Sequence, residues 1–266
     1  MISPKKSLGQ NFLIDNNIIN KIINSASLEG KHILEIGPGT GSLTTEILKK
    51  NPKQLILIEK DKHLCELLEE KFKKDKRIVI YNKDILLLDV EKIMNKNTII
   101  FGNLPYNIST QILVKLIKLN KWPPKYSCLI LMFQKEVAQR INAGCNSREY
   151  GRISIITQYR LEILNHFIVS KNCFSPKPKV ESSVLVFKPI LKPSVEIKDL
   201  KNLEKITQVF FSNRRKMINK GLIKLFGENE IISKKLELNL SKRPSEIKKE
   251  LYYEITKYFE TTIDFL

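Results

Sequence analysis

Apolar side chains at Ile18, Ile19, Ile22 and Ile23 fall on one face of a helical repeat and predict a helix over 16–27. The pattern then changes to short, continuous β-favouring runs separated by helical stretches. Strands are expected at 32–36, 54–58, 77–81, 98–101 and 127–133, and helices at 42–50, 61–73, 109–119, 134–142 and 152–161. Two more strands are expected at 163–169 and 183–187. This alternation predicts an α/β fold, a mostly parallel sheet wrapped by helices, with its last strands partly antiparallel. Pro189 and Pro193 bracket a connector, beyond which only helical patterns occur, at 202–211, 214–226, 231–236 and 247–259. The expected organisation is an α/β domain over 1–190 and a small all-helical domain over 191–266.

Composition narrows the class without changing this picture. With 42% hydrophobic and 28% charged residues the chain is globular, and apolar runs such as 128–133 fall far short of the ~20 residues that cross a bilayer. The start, Met-Ile-Ser-Pro-Lys-Lys-Ser, lacks the apolar core of a secretory signal, so a cytoplasmic protein with no membrane partner is expected. Cys65, Cys128, Cys145 and Cys173 form no CxxC pair and His32, His63 and His166 lie far apart, so no metal is expected.

Charge adds a partner. The net charge of +18 would gather polyanions, which makes nucleic acid the first partner to consider. Of the 46 basic residues 38 are Lys, which an A+T-rich coding sequence would also produce. Placement argues for more than codon bias: residues 112–189 hold 13 basic and 4 acidic residues, half of the whole excess.

The first candidate site is Glu35-Ile36-Gly37-Pro38-Gly39-Thr40-Gly41, which follows a strand and opens a helix. Glycines there permit a tight turn and let a ligand touch the backbone. Ser42 stands where the dinucleotide fingerprint has its third glycine, and the Gly-Lys-Ser/Thr of a phosphate loop is missing. An acidic residue just before the glycines suits a ligand with a cationic amino-acid end and an adenosine but no phosphate, such as S-adenosylmethionine. Taken alone, the heptapeptide also fits a turn that only joins strand to helix. Glu59 ends the next strand, where a carboxylate can accept from both ribose hydroxyls, and Asp84 follows the third, placed for an adenine amino group. Either acid alone also fits a solvated strand end; three after successive strands point to one site.

After the next strand comes Gly102-Asn103-Leu104-Pro105-Tyr106-Asn107-Ile108-Ser109. The Asn103 side-chain oxygen and a carbonyl at Leu104 or Pro105 can accept the two N–H groups of an exocyclic amine, while Tyr106 stacks on its ring. Such contacts aim the nitrogen lone pair at a sulfonium methyl without a strong base. The tetrapeptide alone also fits a turn capping a helix at Ser109.

These motifs, with Lys6-Ser7-Leu8-Gly9-Gln10-Asn11-Phe12-Leu13, Phe174-Ser175-Pro176-Lys177-Pro178-Lys179-Val180-Glu181-Ser182 and Phe211-Ser212-Asn213-Arg214-Arg215-Lys216, closely resemble the ribosomal RNA adenine dimethyltransferase family, above all its bacterial small-subunit branch. The resemblance covers nearly the whole chain. It implies a class I S-adenosylmethionine-dependent methyltransferase sheet, Rossmann-like, with a small helical C-terminal domain. It also implies N6,N6-dimethylation of two adjacent adenosines in the 3′-terminal hairpin loop of small-subunit rRNA, by a monomer acting on an immature small subunit. By motif match Asn11 and Leu13 line the methionine end of the cofactor, Glu35, Gly37, Gly39 and Gly41 form the turn, Glu59 holds the ribose, Asp84 the adenine, and Asn103 the junction with the target amine. Phe174 looks like a second ring opposite Tyr106, although it also fits a core anchor for the proline loop. Lys5, Lys6, Arg140, Arg148, Arg152, Lys177, Lys179, Arg214, Arg215 and Lys216 are the candidate RNA contacts. The erythromycin-resistance type of enzyme, acting on large-subunit rRNA, and a mainly non-catalytic ribosome-assembly factor are the alternatives.

Overall fold

The computed structural model describes residues 10–263; Lys5 and Lys6, and the first part of the motif that begins at Lys6, lie outside them. The chain forms two compact units. One holds the described residues up to Ala138 together with Glu162–Pro189, and the other holds Gln139–Leu161 together with the chain from Ile190 onward. The division between Pro189 and Ile190 falls beside the first proline of the connector, and residues 139–161, inside the span expected for the α/β domain, cluster with the second unit. Their helical pattern does not say which core receives them.

The first unit begins with β1 (Phe12–Leu13) and α1 (Asn16–Ile23), followed by β2 (His32–Ile36), α2 (Ser42–Lys49), β3 (Gln54–Glu59), α3 (Lys62–Phe72) and β4 (Ile78–Asn82). Then come α4 (Val90–Ile93), β5 (Thr98–Asn103), α5 (Ser109–Ile117), β6 (Tyr126–Gln134) and α6 (Lys135–Asn142), which runs across the unit boundary. Aspartates start several of these helices: the Asp15 carboxylate accepts from the Asn17 and Ile18 N–H groups, and Asp61 from His63 N–H. After α7 (Arg152–Arg160) the chain returns with β7 (Leu161–Val169), β8 (Phe174–Ser175) and β9 (Ser182–Pro189). The sheet has seven strands in the order β4-β3-β2-β5-β6-β9-β7. Strands β4, β3, β2, β5 and β6 are parallel, and β9 runs antiparallel to β6. Leu55, Leu57, Ile33, Phe101 and Ile130 sit in a core beneath the helices, which explains why these strands read as unbroken apolar runs. The chain builds β2, β3 and β4 outward in one direction and then returns to place β5 on the other side of β2. The strand order therefore reverses between β2 and β5, where ligands of open α/β sheets bind.

Two short features escaped the periodicity. Strand β1 pairs antiparallel with β8, Phe12 opposite Ser175 and Leu13 opposite Phe174, so the proline-rich segment begins as a strand. Pairs of two residues carry no alternation to detect.

The second unit contains α7, α8 (Leu200–Phe211), α9 (Asn219–Phe226), α10 (Glu230–Lys235) and α11 (Lys249–Ile263). Its core is aromatic, with Tyr159 on Tyr253 at 4.9 Å and Phe210 on Tyr252 at 5.7 Å between ring centroids. The buried Glu260 carboxylate accepts from the Lys198 and Asp199 N–H groups at the start of α8. The helix expected over 214–226 begins only at Asn219. Residues 212–218 form turns, with Lys216 N–H donating to Asn213 C=O and Ser212 Oγ to Val209 C=O. Ser and Asn compete with the helix ladder in this way, and three adjacent cations would oppose the dipole of a helix that began there. Among the described residues no helix is long and apolar enough to cross a membrane.

Candidate active site

A cavity of about 230 Å³ opens over the carboxyl ends of β2, β3, β4 and β5. The sheet register explains how remote residues meet there: Glu35 lies opposite Leu57 and Phe101, and Ile36 opposite Ile58 and Gly102, so the ends of the three central strands are level. Asn11, Leu13, Glu35, Gly37, Gly39, Glu59, Asp84, Asn103, Leu104, Pro105 and Tyr106 all line this cavity.

The glycine turn forms its floor. Gly39 has φ +59°, and a Cβ there would lie 2.9 Å from the Phe12 ring, so only glycine lets β1 close over the turn. Gly41 is different. It does not line the cavity; it caps α2 at φ +77°, and a Cβ there would sit 3.0 Å from both Leu68 and Phe72. A glycine at this position lets α2 pack closely against α3. Lys71 Nζ donates to the Thr40 C=O at 3.0 Å and closes the turn from behind.

The three carboxylates differ in electrostatic state. Glu35 is 1% exposed, and Thr44 Oγ1 donates to its Oε2 at 2.7 Å. Burial pushes its pKa up from 4.5 to about 7, against the lowering effect of Thr44. Glu59 is also raised by burial, although Gly39 N–H donates to its Oε2 at 3.2 Å and the Lys60 and Asp61 N–H groups donate to its Oε1. Asp84 is held below the ordinary carboxylate range, chiefly by Lys60 Nζ, which donates to its Oδ2 at 2.9 Å, and then by Leu86 N–H on Oδ1.

At the end of β5, Asn103 Nδ2 donates to Asn11 C=O at 3.1 Å. A carbonyl only accepts, so this contact fixes the amide orientation and leaves Asn103 Oδ1 as the acceptor available to a ligand. The neighbouring Leu104 side chain is 2% exposed and packs where a Cβ on Gly102 would stand, 2.5 Å away, so Gly102 makes room for the anchor of the tetrapeptide. The Tyr106 hydroxyl lies 2.6 Å from Ser182 Oγ. Burial raises its pKa above 10, which keeps it a neutral phenol near pH 7.

Phe174 is not brought to this cavity. It is 3% exposed and packed in the core with Leu13, Phe167 and Val184, on the short strand β8 that pairs with β1. Lys177 and Lys179, on the same loop, are exposed. In the second unit Arg140, Arg148, Arg152, Arg215 and Lys216 are exposed, whereas Arg214 is partly buried and donates to the Ser147 and Arg148 carbonyls. Arg214 thus braces a loop within its own unit. The sequence assigns no role to Phe12, Thr44, Lys60 or Ser182, although Phe12 and Ser182 lie in the motifs quoted above and Lys60 follows the strand-end Glu59.

Lining of this kind suits S-adenosylmethionine. Buried carboxylates repel phosphate but attract an ammonium and accept from ribose hydroxyls, and the turn leaves backbone exposed where any side chain would intrude. The fold agrees with that class. It matches a crystal structure of a dimethyladenosine transferase from Plasmodium falciparum at a TM-score of 0.78 and 22% identity, over 94% of this chain and 98% of the other. It also matches the 23S rRNA methyltransferase ErmE at a TM-score of 0.71 and 22% identity, over 94% of this chain and 100% of that one. The seven-stranded sheet is thus that of a Rossmann-like methyltransferase.

Sequence comparison takes the assignment from class to family. The model for ribosomal RNA adenine dimethylase matches residues 1–261, and the chain belongs to that family. It is 45% identical, over 97% of this chain and 98% of the relative, to the ribosomal RNA small subunit methyltransferase A of Pelagibacter ubique (strain HTCC1062). It is 41% identical to the protein of that name from Mycoplasmopsis synoviae (strain 53), over 90% of each. The activity is rRNA adenine dimethylation with S-adenosylmethionine as methyl donor.

Proposed function

We propose that the chain transfers methyl groups to N6 of two adjacent adenosines in the 3′-terminal hairpin loop of small-subunit rRNA, acting in the cytoplasm as a monomer on an immature small subunit. The observation that carries the chemistry is Asn103, with Nδ2 spent on Asn11 and Oδ1 free for a target amine. The small-subunit choice rests on relatives of that name at up to 45% identity, against a fold likeness alone to a 23S enzyme.

S-adenosylmethionine, when bound, supplies an electrophilic methyl on a sulfonium. Glu35 offers its carboxylate to the ligand ammonium, Glu59 to the ribose and Asp84 to the adenine amine. Asn103 Oδ1 and a main-chain carbonyl at Leu104 or Pro105 accept the two N–H groups of the target, which reduces conjugation of the nitrogen lone pair with the ring. Tyr106 stacks on the extruded base and offsets part of the few kcal/mol that unstacking costs. As a neutral phenol Tyr106 is no base, and none is needed: acceptors aimed at the amine favour the positive charge that develops on nitrogen. This displacement requires no metal. Lys177, Lys179, Arg140, Arg148, Arg152, Arg215 and Lys216 are the exposed cations proposed to meet RNA phosphates. The intact set of carboxylates with Asn103 supports retained catalysis over a purely assembly-checking role.

The test is Asn103→Ala. Methyl transfer should fall by ~10²-fold or more while cofactor affinity stays within about tenfold, because the lost dipole acts on the reacting nitrogen. An equal loss of binding and rate would make Asn103 a cofactor residue only.

A further inference from the structure

We propose that Ser182 is a positioning residue for the reaction, its hydroxyl holding the Tyr106 ring where the extruded adenine must stack. The inference rests on the reading of Tyr106 as the stacking ring. Ser182 is fully buried and opens β9, where it pairs with Gln134 at the end of β6. The residue before it is pinned as well: Lys135 N–H donates to Glu181 C=O at 3.0 Å, and Lys135 Nζ lies 2.8 Å from the Glu181 carboxylate. Ser182 Oγ is therefore a fixed point on the sheet. Tyr106 is not on the sheet. It lies beyond the end of β5, in a turn closed by Ile108 N–H donating to Pro105 C=O at 3.1 Å and Ser109 Oγ to Tyr106 C=O at 3.3 Å. Those bonds hold its main chain and leave its side-chain torsions free. What ties the ring to the frame is the 2.6 Å hydrogen bond between the two hydroxyls.

The other end of the same segment serves the neighbouring group. Phe174 and Ser175 pair with Leu13 and Phe12, next to Asn11, whose carbonyl orients Asn103. Residues 174–182 thus support the ring and the acceptor from two ends.

Losing the bond has a calculable consequence. A ring in position only about a tenth of the time lowers the competent fraction, and hence turnover, about tenfold. RNA affinity comes mainly from phosphate contacts and should not follow.

Four variants test this: Ser182→Ala, Tyr106→Phe, the two combined, and Tyr106→Ala as reference. Tyr106→Phe removes the bond while leaving Ser182 itself in place. Each single variant should lower single-turnover methyl transfer, at saturating RNA and cofactor, about tenfold, and the combination should fall no further. The dissociation constants for unmethylated RNA and for S-adenosylmethionine should stay within about twofold. Fluorescence of 2-aminopurine at the target position should be brighter in both singles, because the extruded base loses its partner. Additive losses, unchanged transfer in both singles, or a cofactor affinity that falls as far as the rate would overturn the role of Ser182. Tyr106→Ala separates the two readings: impaired transfer there with intact Ser182→Ala and Tyr106→Phe refutes the positioning role alone, whereas wild-type transfer there refutes the stacking reading beneath it.

Discussion

Glu35 couples cofactor binding to pH. Burial lifts its pKa from 4.5 to about 7, so in the ligand-free protein it is largely protonated below neutrality. A shift of that size amounts to about 3 kcal/mol at 1.36 kcal/mol per pH unit. Its sign is fixed: the neutral form favours the folded state, so this stabilisation is complete below pH 4.5 and is lost as pH rises through about 7. Ligand binding has the opposite dependence. The ammonium of S-adenosylmethionine prefers the carboxylate, so binding below neutrality must expel the Glu35 proton. Between pH 7.5 and pH 5, where the ligand ammonium remains charged, affinity should weaken by roughly one to two orders of magnitude. Groups facing Glu35 shape this curve without replacing it. Glu59 raises its pKa, and Lys71, behind the glycine turn, lowers it. The assay is calorimetry of S-adenosylmethionine binding in buffers of different ionisation enthalpy, for wild type and Glu35→Gln. Wild type should release nearly one proton to the buffer on binding at pH 6, and the variant should bind more weakly at pH 7.5 with a nearly flat profile. In the same variant, melting without ligand should shift upward relative to wild type at pH 8 but not at pH 4.5. A variant that keeps the full wild-type slope would refute the assignment of the proton to Glu35.

Further variants separate packing from ligand contact. Phe174→Ala should cost ~3–5 kcal/mol of stability as a buried aromatic truncation, measured by denaturant unfolding, while Phe174→Leu should keep transfer within a few-fold. A 30-fold loss in a stable Phe174→Leu would return Phe174 to the target base. Gly39→Ala should push the Phe12 ring aside and weaken cofactor binding by about tenfold or more, whereas Gly41→Ala should lose ~1–2 kcal/mol of stability with a smaller effect on affinity. Equal effects of both glycine variants on affinity would place Gly41 in the ligand site after all.

Much of the site is legible in the chain because chemistry sits at predictable places. Glu35, Glu59, Asp84 and Asn103 each follow or end a strand with an unmistakable apolar run, and parallel register brings such ends level. Residues that act through others are not legible. Thr44 on Glu35 and Ser182 on Tyr106 depend on three-dimensional neighbours that spacing does not encode. The pairing that buries Phe174 is not legible either, because β1 and β8 are too short to announce themselves. The contacts of Arg214 with the Ser147 and Arg148 carbonyls are likewise made by folding and have no local signature. Gly41 shares the spacing of its neighbours, yet its Cα faces α3.

The central claim is tested most directly by incubating the protein with labelled S-adenosylmethionine and unmethylated small ribosomal subunits, with unmethylated large-subunit RNA in parallel, and digesting the products to nucleosides. The account predicts labelled dimethyladenosine from the small subunit alone, at two adjacent positions. Label confined to large-subunit RNA, or tight binding to the small subunit without transfer, would contradict it.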